Sequence, residues 1–378
     1  MTDQILDNLI NFSQNQAKNQ FSAPEIVDSI LALISDREAS ILRQRYGLNN
    51  QKTRTLEAIG QSLNLTRERV RQIENQAVKN ILKNKRYEEI VAPFQRLIFS
   101  LVAEHGGLMS EDCLISKLKE MSIGQPDVVP FLKFLLANFV TGLERLEQGN
   151  FKPGWRSLDL TLEWVQNILN TFEKILNEKN QIMAHSELMD AFKQSEFYQS
   201  EQNHWQELLA ANNRNLEQVI NSYLLASPKF AQTPFNQWGL TSWGSASPRR
   251  INGKIYLLML HKKQPMHFTE IADLINKHWS DERQVKTATV HNELIFDPRF
   301  VLIGRGLYGL KDWGYQEGNV ADIVIEVLKN STTPLSEAEI IKQVKDKKQV
   351  KEATIRLVLK NKDKFEKSAD NTYHLKAS

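Results

Sequence analysis

The sequence predicts a mainly α-helical chain, with a helix-turn-helix domain near its start followed by tandem winged helix-turn-helix domains with short β-hairpin wings. Three observations predict it. Helix caps and apolar stripes alternate between positions 35 and 85, positive charge is concentrated in the same stretch, and the rest of the chain repeats its own pattern at two fixed offsets.

In the first stretch, Ser35 with Glu38 three residues on forms a capping box, and Ala39, Ile41, Leu42 and Tyr46 supply the apolar face of a helix that Gly47 stops. After a polar loop from Asn49 to Arg54, Thr55 caps a short helix, LEAIGQSL. A tight turn at Asn64-Leu65 follows, and Thr66 caps a longer helix whose stripe is Val70, Ile73, Ala77, Val78 and Ile81. That stripe leaves Arg67, Glu68, Arg71, Gln72, Asn75 and Lys79 outward. A short helix, a tight turn and a longer helix with Arg, Glu and Gln at its exposed start describe a helix-turn-helix. Arginine can grip guanine and glutamine adenine in the major groove, each through two hydrogen bonds.

Charge supports this placement. Residues 36–87 hold 12 Lys/Arg against 5 Asp/Glu, while residues 1–35 hold 1 against 4. The remainder of the chain averages to nearly zero, so positive charge gathers where a phosphate backbone would be met. That near-neutral remainder is expected to serve mainly protein partners.

LISDREASILRQRYGL followed by TLEAIGQSLNLTRERVRQIENQAVKNIL resembles region four of the primary sigma factor family. The resemblance implies that Thr66 to Glu74 reads double-stranded promoter DNA and that the preceding helices dock on the β flap of RNA polymerase. By motif position, Arg67, Glu68 and Gln72 are the base-reading candidates, with Arg69 and Arg71 on phosphates. Thr66, Asn75, Lys79 and Arg54 complete the candidate DNA-binding set. The match begins at position 33, and Phe12 and Phe21 are the sole aromatics ahead of it, so a complete sigma factor with a promoter-melting region is not expected.

The repeats set the remaining elements. Val285-Lys286, Ala288-Thr289-Val290, Leu294, Phe300, Tyr308 and Leu310 recur without a gap as Val350-Lys351, Ala353-Thr354-Ile355, Leu359, Phe365, Tyr373 and Leu375. Leu224, Pro228, Phe230, Trp238 and Trp243 anticipate Leu294, Pro298, Phe300, Tyr308 and Trp313 at the same spacing. Each copy runs helix, turn, capped helix, helix and two strands. The expected organisation is a helical lead over 1–32, the helix-turn-helix over 33–88, and winged helices over 90–157, 160–245, 250–315 and 319–378. HFTEIADLINKHW and VHNELIFDPRFVLIGRGLYGLKDWG are similar to the HARE-HTH module of the RNA polymerase delta subunit, which implies nucleic-acid or polymerase association. Tyr308, Trp313, Trp238 and Trp243 are expected to pack beneath the wings rather than stack on bases. For Arg249-Arg250 and Lys262-Lys263, phosphate contact and plain solvation stay open, and the run Lys345 to Lys351 reads as an exposed helix end, with a wing or helix contact as the alternative.

Other classes find little support. The N-terminus MTDQILDNLINF carries no basic region ahead of an apolar run, and no apolar stretch reaches membrane-spanning length. The single cysteine, Cys113, gives no internal disulfide and too few thiols for structural zinc, which points to a reducing cytoplasm. No His-x-x-x-His, paired-cysteine or phosphate-loop motif is present, so no metal, cofactor or catalysis is expected. Glu111-Asp112 reads as charge matched to a helix start. The function expected is a DNA-binding transcription regulator. The alternative is a winged-helix interaction scaffold, or the DNA-specificity component of a defence or restriction system.

Overall fold

A computed structural model describes residues 21–48, 52–122, 127–147, 149–210, 214–279, 283–315, 320–331, 333–347, 352–361, 364–368 and 370–376. Residues 1–20 of the expected lead, Asn49 to Gln51 of the polar loop, Gln148 of the expected hairpin turn and Lys348 to Lys351 of the lysine run lie outside them. The chain is mainly helical and forms two compact units, 1–181 with 185–231, and 182–184 with 232–378. Among the described residues the four sheets are small, antiparallel and three-stranded, and in each the strand order is first, third, second. The expected hairpins thus gain a short strand laid down before the second helix of each copy.

The first unit opens with α1 (Ala23–Leu31), α2 (Asp36–Tyr46), α3 (Leu56–Leu63), α4 (Arg67–Lys83) and α5 (Tyr87–Glu104). It continues with β1 (Leu108–Ser110), α6 (Glu111–Met121), α7 (Val129–Asn138), β2 (Leu143–Leu146) and β3 (Gly154–Ser157). Ser110 caps α6, placing Glu111 and Asp112 in its first turn. The expected boundary at 88–90 falls inside α5. One buried core runs from Val27 and Ile30 of α1 through Leu42 of α2, Ala77 and Ile81 of α4 and Phe94 of α5 to Phe134 of α7 and Trp155 of β3. The helix-turn-helix and the first winged copy therefore fold around shared apolar side chains.

The third helix of that copy, VPFLKFLLAN, is apolar almost all round, as a helix covered on several sides must be. Phe131, Leu132, Phe134, Leu135 and Leu136 are buried. The Phe134 ring meets Tyr46 edge-on at 4.9 Å, and Asn138 Nδ2 donates to the Tyr46 hydroxyl at 3.2 Å.

In the second copy, α8 (Leu162–Lys179), α9 (His185–Lys193) and α12 (Leu216–Ala226) are the three expected helices. Two further short ones, α10 (Glu196–Ser200) and α11 (Gln202–Ala210), lie between α9 and α12. Trp205 of α11 is fully buried against Phe192, Tyr198 and Trp164, which explains why the insertion is ordered. Helix α12 is also covered by protein. Tyr223 Oη donates to Gly106 O at 2.6 Å, Ser222 Oγ to Leu108 O, and Arg214 Nε to Ala103 O at 2.7 Å. Gly106 permits this approach. Its φ is +79°, and a Cβ there would stand 2.5 Å from Val219 Cγ1 and 2.7 Å from Tyr223 Oη.

The second unit begins with β4 (Met183–Ala184), paired with β6 (Gln237–Leu240); β5 (Phe230–Gln232) precedes β6 in the chain. Then come α13 (Ile251–Lys262), β7 (Met266–His267), α14 (Phe268–His278), α15 (Thr287–Phe296), β8 (Phe300–Leu302) and β9 (Leu307–Leu310). The last copy comprises α16 (Val320–Asn330), β10 (Leu335–Ser336), α17 (Glu337–Lys347), α18 (Glu352–Leu359), β11 (Phe365–Lys367) and β12 (Thr372–Leu375). These two copies have separate cores, one built on Leu258, Ile271, Val290, Phe300 and Tyr308, the other on Val324, Ile340, Ile355, Phe365 and Tyr373. Trp238 and Tyr308 are buried, while Trp243 and Trp313 are half-buried. Arg249, Arg250, Lys262 and Lys263 are exposed. No helix among the described residues is long and apolar enough to cross a membrane.

Candidate nucleic-acid interface

The helix-turn-helix is built by local chemistry. The Ser35 hydroxyl and Glu38 carboxylate complete the capping box of α2, and Gly47 ends it in the left-handed conformation at φ +70°. Glu38 also accepts from Asn80 Nδ2 at 2.9 Å, tying the start of α2 to the last turn of α4. The Ser35 hydrogen bonds hold the Glu38 carboxyl below its ordinary range. Thr55 Oγ1 accepts from Ala58 N and Thr66 Oγ1 from Arg69 N, so both helices of the motif start on side-chain caps. Between them Asn64 turns the chain at φ +55°, and Gly60 lets α3 close on the turn: a Cβ there would sit 2.6 Å from Leu65 O. Ile41, Ile59 and Val70 form a small buried cluster beneath the motif.

This scaffold leaves one face of α4 in solvent. Arg67, Glu68, Arg69, Arg71, Gln72, Asn75 and Lys79 are all exposed, as is Thr66 at the cap. Within the face, Arg71 is engaged by Glu68 at 2.7 Å, and Arg69 Nη1 donates to Gln72 Oε1 at 3.2 Å. The Arg71 hydrogen bond holds the Glu68 carboxyl below its usual range. Both pairings lie in water and yield readily to a stronger partner. Arg67 and Lys79 form no salt bridge among the described residues, and they place a cation near each end of this face.

Arg54 stands apart from the others. Its guanidinium is half-buried, donating to Gln44 Oε1 at 2.6 Å and to Ala58 O at 3.1 Å, while its backbone N donates to Gln44 O. These bonds brace the loop ahead of α3, a role the sequence did not show. With Arg43 and Lys52, Arg54 lines an open groove of about 780 Å³ that sequence reasoning also did not single out. Arg45 of α2 donates to Arg54 O at 3.3 Å and pairs with Glu74 at 3.7 Å, and burial pushes the Glu74 carboxyl up. Among the described residues no group of three or more His, Cys, Asp or Glu side chains could hold a metal ion.

Residues 30–82, spanning α2 to α4, match the family model for Sigma-70, region 4. The RNA polymerase sigma factor RpoD of one Helicobacter pylori strain is 43% identical over 72 residues, which is 19% of this chain and 11% of the relative. In a second strain the same protein gives 43% over 72 residues and 10% of its length. The RNA polymerase sigma factor SigA of Lactococcus lactis subsp. cremoris is 32% identical over 84 residues, 22% of each chain. The chain thus spans between a tenth and about a fifth of the curated relatives it matches. No solved structure matches it.

Proposed function

We propose that the chain is a DNA-binding transcription regulator that reads promoter-like duplex through α4 and associates with RNA polymerase through its sigma-like segment. What carries the reading is the coincidence of three things in residues 30–82: the sigma region-four match, a rigidly capped helix-turn-helix, and a bare cationic reading face. Arg67 and Gln72 are its base-reading residues, with Glu68 beside them. Arg69, Arg71 and Lys79 hold phosphates, and Asn75 lies further along the same face. Thr66 and Arg54 fix the pose. In this reading the sigma-like segment supplies a DNA address.

The apolar face of α2 around Tyr46 and Leu42 is packed inside the chain's own core. A flap contact would therefore use the polar flank of that helix. The resemblance of residues 251–315 to the HARE-HTH module supports polymerase association from a second direction. A rival reading, a winged-helix scaffold or the specificity component of a defence or restriction system, is favoured by one observation: α7 and α12 already serve as protein-packing helices.

Selection of bound sequences from a randomised duplex library tests the proposal. Arg67→Ala with Gln72→Ala should flatten the preference of the selected site, at about 1–3 kcal/mol per lost two-bond base contact. Arg71→Ala should weaken all sequences alike. A double variant that binds the selected site as tightly as the parent overturns the assignment of the reading helix.

A further inference from the structure

The averaged charge of residues 88–378 conceals two opposite halves. Residues 88–231 hold 12 Lys/Arg against 19 Asp/Glu, whereas residues 232–378 hold 23 against 17. Burial of the third helix divides in the same place. In the acidic half α7 and α12 are packed into protein. In the basic half α15 buries only Val290 and Leu294, half-buries Thr287, His291 and Glu293, and leaves Ala288, Thr289, Asn292, Ile295 and Phe296 exposed. We propose that residues 232–378 carry a second surface for duplex DNA, formed by the exposed face of α15 and the wing turn that bears Arg305.

An α-helix with its side chains is about 10–12 Å across and enters a major groove about 12 Å wide only when its face is bare. Helix α15 meets that condition. Arg283, Gln284 and Lys286 lead into it, and Thr289 and Asn292 continue its exposed line. The lead-in is fixed, because Asn276 on α14 donates to Val285 O at 3.0 Å and accepts from Val285 N at 2.7 Å. The wing turn is held nearby. Phe268 N donates to Gly306 O at 3.0 Å, and the Phe268 ring lies 4.7 Å from His291 in the middle of α15.

Charge availability selects this copy over the next. Arg283, Lys286 and Arg305 have no carboxylate partner among the described residues. In the last copy Arg356 is bound by Glu337 at 2.9 Å and Glu352 at 3.7 Å, and Lys345 by Glu352 at 2.6 Å. The repeat also puts Leu357, 68% exposed, where α15 has Asn292. Unpaired cations beside amide and hydroxyl side chains suit a polyanion with hydrogen-bonding edges. The apolar end of α15, Ile295 and Phe296, is the feature that would instead suit a protein.

The test uses the full-length chain and a fluorescein-labelled duplex of arbitrary sequence, followed by anisotropy across a salt series. Each phosphate contact adds about 0.9 to the slope of log affinity against log salt. Replacing Arg283, Lys286 and Arg305 by Gln should lower the slope by about 2 to 3 and weaken binding roughly tenfold at the low-salt end. The control variant K133Q/K174Q/K179Q removes three exposed lysines from the acidic half and should change neither. R283K/K286R/R305K keeps the charge and should keep the slope, which separates charge from misfolding. Repeating the series in the R67A/Q72A background isolates this surface from the α4 reading helix, because the slope change should persist there. An unchanged slope and affinity for the Gln variant overturns the proposal and leaves α15 as a protein-facing helix.

Discussion

The third helices α7 and α15 occupy the same place in the same supersecondary order, yet one is packed on nearly every side and the other is open along one face. In α7 Phe134 is fully buried, while in α15 Phe296 is 83% exposed. A winged helix prescribes where its third helix sits but not what that helix meets. Composition decides that: five of ten residues of α7 are buried apolar side chains, against two of ten in α15.

Truncating both aromatics should give the largest difference. Phe134→Ala should cost the first unit about 3–5 kcal/mol, as removal of a buried ring does, and lower the urea midpoint. Phe296→Ala should stay within about 0.5 kcal/mol, as an exposed substitution does. Equal losses would show that the burial contrast is wrong. Because α4 shares the core with Phe134, the first variant should also weaken duplex binding near its melting range.

Two glycines sharpen the contrast at smaller scale. Gly106 and Gly314 both have positive φ, at +79° and +83°, but only Gly106 has neighbours in the space of a Cβ. Gly314→Ala should cost about 1–2 kcal/mol from backbone strain alone. Gly106→Ala adds overpacking against Val219 and Tyr223, about 1–3 kcal/mol more, read from denaturation curves. A pair of matching costs would place the α12 contact elsewhere.

Acid should affect the first unit selectively. Burial pushes the His105 imidazole below its ordinary value. The tautomer with its proton on Nδ1 satisfies both Leu101 O at 2.7 Å and Gln218 Nε2, 3.1 Å from Nε2. A base whose folded value is lowered leaves the unfolded chain binding more protons as pH falls. Stability from the neutral ring is therefore full above about pH 6.5 and is lost as pH drops toward the lowered folded value. His105→Gln should flatten that part of the profile of melting temperature against pH, and an unaltered profile would remove His105 as its source.

The smallest expected difference is none. Ser35 with Glu38 and Ser336 with Glu339 form the same reciprocal cap in the two units. Ser35→Ala and Ser336→Ala should each cost about 1 kcal/mol of local stability by hydrogen exchange. A large gap between them would mean that tertiary packing, not the cap, holds one helix start.

These caps mark what the sequence makes legible. Ser35, Thr55, Thr66 and Gly47 act on their immediate neighbours in the chain, so their pattern places the helix-turn-helix and its outward face without any tertiary knowledge. The short strands Leu108–Ser110 and Met266–His267 escape such reading because their partners, around Trp155 and Tyr308, lie far along the chain and so short a run carries no alternation. Helices α10 and α11 escape because their order rests on Trp205 rather than on a stripe. The shared core had one visible signal, the all-round apolarity of VPFLKFLLAN, which asks for cover on several sides. The bracing role of Arg54 had none, since it depends on Gln44 and the Ala58 carbonyl arriving together.

The continuous core across α5 has a consequence for inheritance. The recognisable segment ends at residue 82, but the apolar side chains it depends on extend to Trp155. A recombination event that carried only the recognisable segment into another gene would leave Ala77, Ile81 and Leu42 facing water. In this chain the segment is not portable as a unit, and its outward face can vary freely only while its inward face stays matched to the helices that follow it.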